Sequence, residues 1–210
     1  MARVLVLGPE DAVARGAAEL ARLGHEAVVH PADDAVDAIV GVGSDDAFRE
    51  AAALAEQRGI AHPWSAGAAV RGTDIGETRR ALDGLDVPQP RYRECATAEE
   101  ARLSVWELGL PVVVRTLGSG IRETAGTSRA VAEIAARAIE GSYRSACLVE
   151  EKLGGGCSRG PSSEVDEALG LPCESKVLTG GYVVAVRALA ADAEPEAAVR
   201  SALETLTLRS

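Results

Sequence analysis

Aromatic side chains are scarce in this chain: Phe, Trp and Tyr together make up 3% of 210 residues. A core cannot be built from so few rings, so Ala, Val and Leu must fill it, in a chain that is 47% hydrophobic. Basic charge is also in deficit, with 22 Lys and Arg against 32 Asp and Glu and a net charge of −10. That balance excludes a nucleic-acid footprint, which needs basic patches. It predicts a protein that meets anions only at local sites. The four cysteines (Cys95, Cys147, Cys157, Cys173) form no CxxC pair and have no His at ligand spacing. They predict reduced thiols in a cytoplasmic protein. No apolar run approaches about 18 residues, which predicts no membrane span. Met1-Ala2-Arg3 leads straight into a strand-like run, which predicts no signal peptide.

What is present is an alternation of strands and helices. Arg3 to Leu7 (RVLVL) is a short apolar run stopped by Gly8-Pro9, the pattern of a buried parallel strand. A helix over Asp11–Leu23 follows, then strands at Glu26–His30 and Asp37–Val42, and a helix over Asp45–Arg58 ended by Gly59. This order predicts a doubly wound, Rossmann-like parallel unit over residues 1–72. Beyond it, a helix over Thr73–Leu85 precedes the extended Val87-Pro88-Gln89-Pro90 junction. A short strand at Tyr92–Cys95 and a helix capped by Thr97-x-x-Glu100 come next. Pro111–Arg115 and Ala146–Glu151 read as strands around a helix at Ser128–Glu140. Residues 73–156 thus predict a smaller α+β lobe. Residues 157–210 predict a C-terminal helix–strand–helix segment packing back on the core, preceded by a flexible loop over Gly154–Pro161. The fold class expected is α/β.

Candidate sites compete with plainer explanations. Gly8 lacks GxGxxG spacing and is followed by Pro9, which removes a donor; Gly41-Val42-Gly43-Ser44 comes nearer to a nest of backbone donors. A tight turn explains both better. Arg115 ends an apolar strand that should be buried on both faces, so its guanidinium needs an anion: a phosphate, or a carboxylate of this acidic chain. Gly118, Ser119 and Gly120 follow directly, either as backbone donors for phosphate or as a hairpin tip. Glu150-Glu151 is a solvated strand end, or a strand whose backbone bonds an adenine edge.

Taken in order, these pieces resemble the ATP-grasp superfamily, and within it the large subunit of carbamoyl-phosphate synthase. The run ETRRALDGLDVPQPRYRECATAEEARLSVWELGLPVVVR is similar to that family's helix, Gly-(Ile/Val)-Pro-x-Pro, capped helix and strand. The resemblance implies that Arg115 contacts nucleotide phosphates. ARAIEGSYRSACLVEEKLGG resembles the adenine-binding strand and hinge, which implies that Leu148, Val149, Glu150, Glu151 and Leu153 surround the base. SRGPSSEVDEALGLPCESKVLTGGY resembles the family's Ser-Arg-x-Ser-Ser, helix, Gly-x-Pro, helix and Gly-Tyr segment.

The departures set the functional expectation. The family's large catalytic lobe, with its Glu-x-Asn magnesium pair, is missing between hinge and tail, and the chain contains no Asn. The ribose-binding Glu is absent, and Ile75 follows Asp74 where a basic residue is expected. Phosphoryl transfer needs metal ions to bridge the phosphates. The resemblance therefore implies a truncated, non-catalytic or partial ATP-binding subunit of a carboxylate or carbamoyl ligase system. An alternative is an active ligase completed by a partner chain, which would bring the Mg2+ site. A third is a Rossmann-like dinucleotide enzyme, disfavoured by the missing fingerprint. An adenine nucleotide, and a protein partner or second copy, are the expected partners.

Overall fold

The computed structural model describes residues 1–29, 35–60, 62–118, 120–179, 181–189 and 193–207. The chain forms two compact units. Unit 1 comprises residues 1–70, 170–172 and 188–210, and unit 2 comprises 71–169 and 173–187. The 157–210 segment is thereby divided between them.

Unit 1 contains β1 (Arg3–Leu7), α1 (Glu10–Arg22), β2 (Glu26–Val28), β3 (Ala38–Gly41), α2 (Asp45–Arg58), the start of α3 (Ala66–Thr73) and a late helix, α8 (Pro195–Thr207). Its three strands are parallel in the order β2-β1-β3, with Val4 opposite Ala38 and Leu5 opposite Ile39. Because side chains alternate along a strand, β1 buries both faces. Val4 and Val6 pack with Ala12 and Leu20 of α1 and Val199 and Ala202 of α8. Leu5 packs with Ile39 and with Ala51 and Ala55 of α2. Each fully buried aliphatic side chain contributes about 1.5–3 kcal/mol. Alanine lets the helices sit close, as the scarcity of rings requires. The Ser44 hydroxyl caps α2 by accepting from the Ala47 N–H at 3.1 Å. The doubly wound pattern read from the sequence is present; His30, the end of the second expected strand, lies outside the described residues.

Unit 2 contains α4 (Ile75–Asp83), β4 (Tyr92–Cys95), α5 (Ala98–Leu108), β5 (Val112–Thr116), β6 (Arg122–Ala125), α6 (Ser128–Glu140), β7 (Cys147–Glu151), β8 (Cys157–Pro161), α7 (Ser163–Leu169), β9 (Cys173–Leu178) and β10 (Val183–Ala188). The helix expected over Thr73–Leu85 starts later. Asp74 stands between two helices as the N-cap of α4, accepting from the Gly76 and Glu77 N–H groups at 2.8 and 3.1 Å.

Two antiparallel sheets make up this unit, ordered β4-β7-β5-β6 and β10-β9-β8. In the first, register places Val112, Val114, Cys147 and Val149 on the face that packs against Ala101 and Val105 of α5 and Val131 and Ala135 of α6. The opposite face carries Tyr92, Glu94, Val113, Arg115, Arg122, Thr124, Leu148 and Glu150. β5 is therefore buried fully on one face only, not on both as its run of valines suggests. In the second sheet, the expected Gly154–Pro161 loop is a strand over its second half, because β8 pairs along its whole length with β9. The helix that the tail resemblance implies after Gly170-x-Pro172 is also a strand, β9, whose first four residues alternate between buried and half-buried positions. No helix among the described residues is long and apolar enough to cross a membrane.

Candidate functional site

A buried ion-pair network forms one wall of the site. Arg79, on α4, is fully buried; its Nε donates to Glu150 Oε1 at 2.8 Å, and its Nη2 lies 2.6 Å from the same oxygen. Its Nη1 donates to the Val183 carbonyl at 2.8 Å, and its Nη2 to the Val184 carbonyl at 3.2 Å. One side chain thus ties α4, β7 and β10 together through the planar fork that only Arg provides. Arg115 lies on the same face of the sheet, 3.4 Å from Glu150 Oε2, with 14% of its side chain exposed. Burial, the facing Arg122 and the nearby Arg79 hold its pKa below the usual guanidinium value, against the pull of Glu150.

Beside this network lies a cleft of about 380 Å³, inside the 300–1,000 Å³ range of ligand pockets. Pro90, Val113, Leu153, Leu178 and Val184 give it an apolar part, and Arg122, Lys152 and Lys176 a cationic part. It adjoins a hollow of about 180 Å³ that shares Arg122 and Lys176 and adds Arg159 and Glu174. Cations cluster here without carboxylate partners. Among side chains of the described residues, Arg58, Arg122, Lys152, Arg159 and Lys176 make no ion pair or hydrogen bond. All of these except Arg58 line the cleft or its hollow. Register sharpens the point: Arg122 stands directly opposite Arg115, and Arg159 directly opposite Lys176. Like charges facing each other across antiparallel strands destabilise the sheet, and these two pairs, the first eased by Glu150, make the cavity beside them a candidate anion site.

The residues singled out in the sequence are distributed unevenly. Glu150, Glu151 and Leu153 line the cleft. Arg115 joins them through Glu150, so the carboxylate alternative for its partner is realised in this structure. Leu148 and Val149 are buried: Leu148 packs with Leu117, Ile75 and Tyr92, and Val149 faces the helices. Gly118 and Gly120 belong to the β5–β6 hairpin, which Thr116 closes by donating its N–H to the Ile121 carbonyl (3.0 Å) and accepting the Ile121 N–H on its hydroxyl (2.9 Å). Ser119 lies outside the described residues. In the hinge, the N–H groups of Leu153, Gly154 and Gly155 donate to no described residue. Arg122, Arg159, Lys152 and Lys176 escaped the sequence reading. One sign was available: the chain has two lysines, and both line this cleft.

Among the described residues of unit 1, no cluster of cations without partners lines a cavity. Its cavity of about 240 Å³ is lined by Phe48, His62 and Trp64 among mostly apolar neighbours. A Cβ on Gly8 would fall 2.1 Å from the Val42 carbonyl oxygen, and one on Gly41 2.1 Å from that of Ala47, so both glycines serve close packing. The first turns of α1 and α2 carry Glu10-Asp11 and Asp45-Asp46, carboxylates where a dinucleotide phosphate would sit.

The cleft residues do not fit a resident magnesium ion, which binds through free carboxylates and demands octahedral geometry. Glu150 is held by Arg79 and Arg115, and Glu151 pairs with Arg91 at 2.8 Å. Glu174 alone is left, and no three His, Cys, Asp or Glu side chains among the described residues converge.

No family model and no curated protein matches the sequence. Solved structures do match. A RimK domain protein ATP-grasp from Sphaerobacter thermophilus DSM 20745 is similar with a TM-score of 0.67 at 22% identity, over 94% of this chain and 97% of that one. D-alanine–D-alanine ligase from Bacillus anthracis complexed with ATP gives 0.70 at 13% identity, over 100% and 98%. A biotin carboxylase–βγ-ATP complex from Campylobacter jejuni gives 0.62 at 12%, over 95% and 70%. The chain has the ATP-grasp fold. The likeness is to that fold as a whole and does not single out carbamoyl-phosphate synthase.

Proposed function

We propose that the cleft of unit 2 binds ATP, with the base between Val113, Leu153, Leu178 and Val184 and the phosphates toward Arg115, Arg122, Arg159 and Lys176. The observation that carries this is the convergence of four unpartnered cations on one cleft in a chain of net charge −10. The unbonded hinge N–H groups supply donors for an adenine edge. Two of the structurally similar proteins are ATP complexes, which agrees with this choice of ligand.

The chain binds the nucleotide without transferring its phosphoryl group unaided, since the carboxylates that could hold a bridging metal are engaged by guanidiniums. It acts as a cytoplasmic nucleotide-responsive subunit or scaffold of an ATP-dependent carboxylate or carbamoyl ligase system. Any phosphoryl transfer would need a partner chain to bring metal ligands. Calorimetric titration of ATP into wild type and Arg115→Ala tests this. Binding that weakens roughly tenfold in the variant is expected. No heat and no thermal stabilisation from millimolar ATP would remove the proposal.

A further inference from the structure

Strand register beside the cleft sets two pairs of like charges opposite each other, Arg115 with Arg122 on β5–β6 and Arg159 with Lys176 on β8–β9. Among the described residues the second pair has no carboxylate within ion-pairing distance, and Glu174, two residues along β9 on the same face, bonds to neither. Facing cations cost stability in the empty protein, and a ligand that brings negative charge between them recovers it. The carboxylates that would welcome a metal are occupied: Glu150 by Arg79 and Arg115, Glu151 by Arg91. A divalent ion entering with the phosphates would meet guanidinium and ammonium groups and only one free carboxylate, Glu174.

We infer that this cleft takes its polyphosphate free of metal, with Arg122, Arg159 and Lys176 neutralising the charge that a magnesium ion would otherwise neutralise. This rests on the nucleotide assignment above and specifies the form of the ligand. A free triphosphate carries about two more negative charges than its magnesium complex, and Arg122, Arg159 and Lys176 more than offset that excess. The protein therefore selects the metal-free anion and senses a fall in free magnesium as a rise in bound nucleotide.

The test is calorimetry of the full chain with three probes: ATP, inorganic tripolyphosphate and adenosine. Each is titrated once in EDTA and once in excess magnesium. ATP and tripolyphosphate should bind in EDTA and weaken roughly tenfold in magnesium, while adenosine is indifferent to the metal. Lys176→Gln and Arg159→Gln should each weaken both anions roughly tenfold and leave adenosine unchanged. The same substitutions relieve a like-charge pair, so the melting temperature of the ligand-free protein should hold or rise, an outcome that a structural role would not give. Binding of ATP only with magnesium overturns this inference and leaves the nucleotide assignment standing. Metal-free binding unchanged by either substitution also overturns it, since the anion then sits elsewhere. Failure of ATP and tripolyphosphate under both conditions overturns the nucleotide assignment itself.

Discussion

Replacing Arg79 by Met should damage unit 2 more than any surface change, and the structure sets the size. Arg79 is fully buried and Glu150 is 3% exposed, so the substitution leaves a carboxylate in the interior with only Arg115 near it, at 3.4 Å. Removing one partner of a buried ion pair costs about 3–5 kcal/mol. The Val183 and Val184 carbonyls lose their donor as well. Domain stabilities run from about 5 to 15 kcal/mol, so about a fifth or more of the total is at stake. With a urea dependence of about 2 kcal/mol per molar, the midpoint should fall by roughly 2 M. Urea unfolding followed by circular dichroism measures the loss, and amide exchange in the 147–151 and 183–188 peptides assigns it to this unit. Arg79→Met/Glu150→Leu should be more stable than Arg79→Met alone, because the stranded charge is gone. A single-variant cost under about 1 kcal/mol, or a double variant in which the two costs simply add, would show that Arg79 does not hold Glu150 in the interior.

Other outcomes follow from the same geometry. Arg115→Ala should lower stability by about 1 kcal/mol or less in denaturant titrations, since Glu150 keeps its 2.6 Å contact with Arg79, although nucleotide affinity falls. Cys157 is exposed on the cleft, and Cys95, Cys147 and Cys173 are buried with thiols pushed up to about 11, 12 and 12. Alkylation at pH 8 should therefore label Cys157 first, and ATP should slow it; labelling unaffected by saturating ATP would count against the site. Hydrogen bonds from Arg22 and Arg200 lower Glu19 from 4.5 to about 2. Its stabilising effect is thus complete above pH 4.5 and disappears as the pH falls toward 2. Glu19→Gln should flatten that part of the acid-unfolding curve. Asp74→Ala removes the cap of α4 and the buried partner of Arg144 at 2.9 Å, and should cost about 2 kcal/mol or more in thermal unfolding.

Local pattern made much of unit 1 readable in advance. The RVLVL run and the alanine-rich helices of that unit, like the Thr97 cap read in unit 2, each depend on residues close in sequence. β6 and β8 were missed for the opposite reason. Their sequences, RETA and CSRGP, have no apolar alternation and become strands only by pairing with β5 and β9. The cationic cleft was hidden by the same lack of register. Arg122, Arg159 and Lys176 are far apart in the chain and come together only through strand pairing. Arg79 lies within a helical run, and nothing local shows that its partner is Glu150, 71 residues away. Arg115 and the hinge acids stood out because their strands end in charge after apolar runs, a contrast visible within a few residues.

Photolabelling with 8-azido-ATP, followed by peptide mapping with and without competing ATP, locates the adenine directly. ATP-protected label is expected in the 150–157 hinge or in the 176–184 segment, with none in unit 1. Protected label at residues 8–16 or 41–48 would place the nucleotide on the parallel sheet of unit 1 and contradict binding in the cleft of unit 2.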